Sequence, residues 1–158
     1  MMYDFTADDV FKMAEQMERN GADFYRHAAA KVSQVDIQAL LLDLASMEDD
    51  HLETFADLRR SLTPTESQPT VFDPQDESAL YLKALVDTRV FFKKKIDLDA
   101  LKEIFKAAIE AEKDSIVFYL GMREIVPDKL GKERIDAILK EEMGHIRLLS
   151  KELAAAKS

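Results

Sequence analysis

Glu48-Asp49-Asp50-His51 sets a carboxylate and an imidazole three residues apart. On a helix that spacing leaves the two side chains one turn from each other on a single face. Both groups ligate divalent cations, so together they can reach one centre. In a chain with 31 acidic residues a single such pair says little. This chain holds it twice. Glu142-Met143-Gly144-His145 repeats the pair 94 residues further on, and the same offset carries Glu18 to Glu112 and Tyr25 to Tyr119.

The hydrophobic pattern says which elements must carry these residues. Thr6 is a fitting N-cap, and Asp8 and Asp9 in the first turn favour the helix dipole. From there to about Lys31 a seven-residue repeat runs Phe11, Ala14, Glu18, Gly21, Tyr25, Ala28. A second helix is expected from Val35 or Asp36 to about Leu62, with the seam Ile37, Leu41, Leu44, Glu48, His51, Phe55, Leu58, Leu62. Residues 63–99 read as a crossover: its first part holds three of the four prolines, and a short helix is expected from Ser78 to about Phe92, ended by Lys93-Lys94-Lys95. Asp97 or Asp99 is then expected to cap a third long helix, whose seam is Leu101, Phe105, Ala108, Glu112, Ser115, Tyr119, Met122. Pro127, Asp128 and Gly131 mark a turn, and a fourth helix follows from about Lys132 to Ala155 on Ile135, Ile138, Glu142, His145 and Leu149. The fold class is therefore all-α: a four-helix bundle of two helical hairpins joined by a long crossover, forming one domain over residues 1–158.

On these seams four Glu and two His share core positions with apolar residues, and no Lys or Arg stands among them. Buried carboxylates must be paired, protonated or bound to metal. Six ligands with four potential negative charges suit two divalent cations, and mixed imidazole and carboxylate donors favour iron or manganese over magnesium. Open coordination positions on such ions would serve oxygen or peroxide. The residues one turn either side of each solitary Glu are small, Ala14 and Gly21 around Glu18, Ala108 and Ser115 around Glu112. That leaves room for ions and a small oxidant, and it equally allows close helix approach. The bland reading of the same residues is a buried polar network that fixes helix register. His27, the third histidine, falls beside the seam and is expected in solvent.

Glu18-Arg-Asn-Gly-Ala-Asp-Phe-Tyr25 and Glu112-Lys-Asp-Ser-Ile-Val-Phe-Tyr119, with the two Glu-x-x-His pairs, resemble the ferritin-like di-iron carboxylate proteins, most of all the rubrerythrin branch. That ligand rule, a Glu from each of two helices and Glu-x-x-His from each of the others, is a known arrangement of the class. The resemblance covers nearly the whole chain. It implies that Glu18 and His51 serve one iron and Glu112 and His145 the other, and that Glu48 and Glu142 bridge them. Tyr25 and Tyr119 would orient carboxylates by hydrogen bonding. Two departures stand out. With no cysteine there is no rubredoxin-type iron in these residues, so electrons would come from a separate donor protein. The additional Glu that rubrerythrins carry one turn after the third-helix ligand is Ser115 here, closer to a bacterioferritin-like set of six. Glu15, one turn before Glu18, is a stand-in, although its counterpart in the repeat is Ile109.

The net charge of -9 argues against nucleic acid and anionic membrane surfaces. No run approaches the roughly 20 apolar residues of a membrane span, and the acidic N-terminus is unlike a secretory signal. A cytoplasmic location is expected. The expected activity is that of a di-iron oxidoreductase reducing peroxide or oxygen, with two iron ions as cofactor and manganese or zinc as alternatives. Ferroxidase action in iron storage or detoxification is the second reading, and a metal-free helical adaptor is the reading of another class. A homodimer or higher homo-oligomer is expected. Phe5, Phe72, Phe91 and Phe92 would pack under the crossover rather than form a dimer surface or gate.

Overall fold

The computed structural model describes residues 6–62, 80–82, 84, 100–126 and 128–156. Helix α1 spans Ala7–Lys31, α2 Val35–Arg60, α3 Leu101–Ile125 and α4 Lys132–Ala155, with a 3-10 turn at Asp128–Leu130 before α4. The described residues form a bundle of four long helices, as the seams predicted. Helix α1 packs along α2 and α3 along α4, and the two hairpins meet more loosely through α1 with α3 and α2 with α4.

Local chemistry sets the ends of these helices. Thr6 Oγ1 accepts from the Asp9 amide at 3.0 Å while Asp9 accepts from the Thr6 amide at 3.2 Å, a reciprocal cap on α1. Helix α2 stops at Arg60, two residues short of the expected Leu62. The residue preceding α3 is Ala100, with no side-chain cap; Asp97 and Asp99, expected there, lie outside the described residues. So do Pro127, Lys93-Lys94-Lys95, Phe5, Phe72, Phe91, Phe92 and most of the crossover. Within the crossover, residues 80–82 and 84 are helical, in agreement with a short helix there. Leu82 is fully buried, and the Tyr81 hydroxyl donates to the Val117 carbonyl at 2.9 Å. Gly121 makes this docking on α3 close: a Cβ there would stand 2.6 Å from the Tyr81 ring.

Every seam residue named from the sequence is buried except Leu62 and Leu101, which are partly so. The core falls into two apolar clusters. One gathers Phe11, Phe55, Phe118, Tyr119, Met122 and Ile135; the other gathers Tyr25, Ala28, Leu41, Leu44, Phe105 and Leu149. Along each helix the apolar residues of one cluster give way to Glu, or Glu and His, before those of the other begin. A polar layer therefore lies between two apolar plugs. No described helix is long and apolar enough to cross a membrane.

Candidate metal centre

The polar layer contains Glu18 from α1, Glu48 and His51 from α2, Glu112 from α3, and Glu142 and His145 from α4, all at or below 5% exposure. Two groups form among the described residues: Glu18, Glu48, His51 and Glu142, and then Glu48, Glu112, Glu142 and His145. Within each group one ligand atom per residue lies within 4.8 Å of all the others. Glu48 and Glu142 belong to both groups. The sharing is visible atom by atom. Glu142 Oε1 is 3.0 Å from His51 Nδ1 while its Oε2 is 3.2 Å from His145 Nδ1. Glu48 does the same in the other sense, with Oε1 3.3 Å from His145 Nδ1 and Oε2 4.0 Å from His51 Nδ1. The solitary carboxylates each attend one ring, Glu18 Oε2 at 3.5 Å from His51 Nδ1 and Glu112 Oε1 at 3.4 Å from His145 Nδ1. The two imidazoles stack, centroids 5.9 Å apart and planes 22° from parallel, and both turn Nδ1 toward Glu142.

Four of these inward atoms, Glu18 Oε2, Glu48 Oε1, Glu142 Oε1 and His51 Nδ1, are buried without a hydrogen-bond partner despite their short mutual distances. Buried polar atoms are normally satisfied, and a set of unsatisfied oxygens and a nitrogen around one volume fits cations. The electrostatics say the same. Burial and then the Glu142 charge raise the Glu18 carboxyl. Burial and Glu18 push Glu48 well up, and burial with Glu112 and Glu48 lifts Glu142 to about 8. Glu112 is different: burial raises it, but hydrogen bonds with Glu142, His145 and Tyr25 together hold it below the usual range. Burial disfavours charge on His51 and His145, yet their carboxylate neighbours outweigh it and push both rings up to about 12. Protons held by the two rings and by Glu142 thus offset part of the buried negative charge.

Tyr25 and Tyr119 are buried in the apolar plugs and cross between hairpins. The Tyr25 hydroxyl donates to Glu112 Oε1 at 2.5 Å, and that of Tyr119 donates to Glu18. Burial followed by the nearby Glu112 or Glu18 charge keeps each phenol protonated, pushing it well up. Each hydrogen bond thus ties a phenol of one hairpin to the solitary carboxylate of the other.

A family model for rubrerythrin matches residues 9–153. The chain belongs to the rubrerythrin family. A crystal structure from Thermotoga maritima, described as a ferritin-like diiron-carboxylate protein, aligns with a TM-score of 0.70 at 21% sequence identity, over 98% of this chain and 98% of that one. At that identity the likeness speaks for the fold. Comparison with curated proteins gives no match.

For a rubrerythrin-family chain, three neighbours of the cluster matter. Ser115 is buried in the position where the resemblance implied an additional Glu. Glu15 does not replace it, because Arg59 holds it, with Nε 2.6 Å from Oε2 and Nη2 3.1 Å from Oε1. A Cβ on Gly21 would meet Glu48 Oε2 at 3.4 Å, so the glycine leaves room beside a shared carboxylate. His27 is exposed, as expected. Sequence reasoning missed the residues behind the two imidazoles. His51 Nε2 lies 2.5 Å from Glu141 Oε2, and His145 Nε2 lies 3.2 Å from Met47 Sδ. The signal was available, since 47 and 141 are related by the same 94-residue offset.

Proposed function

We propose that this rubrerythrin-family protein holds two divalent metal ions, iron in the working form, and acts as an oxidoreductase reducing peroxide or oxygen. Glu18 and His51 would hold one ion and Glu112 and His145 the other, with Glu48 and Glu142 available to both. The observation that carries this is the split of each shared carboxylate, one oxygen toward His51 and the other toward His145. When bound, the irons supply one electron each, which together with two protons turns one peroxide into two waters.

The chain's own residues set the conditions for that chemistry. The apolar plugs above and below exclude bulk water, which strengthens every interaction inside. Tyr119 and Tyr25 hold the solitary carboxylates through hydroxyls that remain protonated beside negative charge. Gly21 leaves room beside Glu48, where a Cβ would meet Oε2 at 3.4 Å. With no cysteine in the chain, re-reduction falls to a separate donor protein, and a homo-oligomer in the cytoplasm remains the expected setting.

Ferroxidase action is the second reading, and Ser115 favours it, because among the described residues the cluster offers six candidate ligands and no seventh carboxylate. Stopped-flow oxidation of the ferrous protein by peroxide and by oxygen at equal concentrations separates the two. Faster reaction with peroxide is expected, and a clear preference for oxygen would replace the peroxidase reading by the ferroxidase one. Metal analysis tests both: about two ions per chain are expected, and fewer than about one would leave the helical adaptor standing.

A further inference from the structure

The two-fold repeat is broken just outside the metal cluster. His51 and His145 are equivalent in the repeat, both buried, nearly parallel, and both turn Nδ1 inward. Their outer nitrogens meet different partners. Behind His51 stands a carboxylate, Glu141 Oε2 at 2.5 Å from Nε2; behind His145 stands a thioether, Met47 Sδ at 3.2 Å. The two partners come from the helix opposite each ring, and they occupy equivalent positions, each preceding a shared Glu. A carboxylate that accepts the Nε2–H fixes the tautomer with a free Nδ1 lone pair and makes that nitrogen a stronger donor to metal. A thioether is a weak acceptor and does little of either.

Resting on the two-metal reading above, we propose that the two ion positions are unequal because Glu141 supports His51 and Met47 cannot support His145. The Glu18/His51 position fills first and holds its ion, while the Glu112/His145 position is the labile one. Glu141 and Met47 are positioning residues that act through the imidazoles. Both side chains reach solvent, Glu141 at 59% and Met47 at 46% exposure, so either can be exchanged without opening the core.

The chain has three histidines, one of them the exposed His27, which serves as an internal reference. Assigned 15N spectra of the imidazole rings, recorded while Zn²⁺ is added to metal-free protein, read each position separately. In the wild-type chain His51 Nδ1 reaches its metal-bound shift during the first equivalent and His145 during the second, the affinities differing about tenfold or more. Glu141→Met abolishes the order. Combining Glu141→Met with Met47→Glu reverses it, so that His145 fills first, with helical circular dichroism unchanged. Two bound ions with both rings shifting together, or a double variant that keeps the wild-type order, overturns the inequality alone. Failure to bind two ions at all overturns the two-metal reading beneath it.

Discussion

Glu48 and Glu142 each divide their two oxygens between His51 and His145, so in the proposed two-ion site neither could be removed without affecting both positions. Glu48→Ala is expected to reduce bound metal from about two ions per chain to below one, while the helical circular dichroism persists. Unchanged metal content in that variant would remove Glu48 from the bridging role. Tyr119→Phe is a milder lesion. It deletes only the hydroxyl that donates to Glu18, and loss of such an outer partner typically weakens metal binding 10–100-fold. A competition titration against a chelator of known affinity reads this directly. An unaltered affinity would mean that Glu18 is held by packing alone.

At the level of the helices, two glycines place opposite demands on the packing. Gly131 precedes α4 with φ at 102°, a backbone region that costs an L-residue about 1–2 kcal/mol. A Cβ there would also stand 2.4 Å from Leu58 Cδ2 on α2. Gly131→Ala should therefore destabilise by about 2 kcal/mol or more, seen as a lower denaturation midpoint, with the metal stoichiometry of the folded protein unchanged. Gly21 is the opposite case. Its missing Cβ would be in ordinary contact with Glu48, so Gly21→Ala should fold and bind metal. Gly21→Leu should fold poorly or lose the ions, because the larger side chain enters the volume beside the carboxylate. Metal binding by a well-folded Gly21→Leu would show that the space has no part in the site.

Across the whole molecule the buried charges make stability depend on pH in an unusual direction. His51 and His145 have folded values of about 12 against 6.5, and Glu142 about 8 against 4.5. Groups raised on folding stabilise when protonated. The contribution of the histidines is complete below pH 6.5 and is lost as pH climbs toward 12; that of Glu142 is complete below 4.5 and is lost through 8. Metal-free protein should thus melt at progressively lower temperature between pH 6.5 and 9. Bound ions displace those protons, so metal-loaded protein should gain in the same interval relative to the metal-free form, and loading should release protons. Thermal melts with and without metal across that range test both signs. A metal-free protein that became more stable toward pH 9 would contradict the protonated site.

The four long helices, their buried faces and the six clustered residues can be read along the chain, because helical periodicity and a 94-residue repeat are one-dimensional signals. Thr6 and Gly131 were legible for the same reason: a cap and a turn depend on a few neighbouring residues. The contacts between helices cannot be read that way. Nothing in the order of residues says that Tyr25 donates to Glu112 and Tyr119 to Glu18. Nor does it say that Arg59 holds Glu15 away from the cluster, or that Glu141 and Met47 stand behind opposite imidazoles. Those partners are far apart in the chain, and which of them meet depends on how two hairpins are rotated and stacked. A repeat fixes what each half offers, and packing fixes which groups of the other half it reaches.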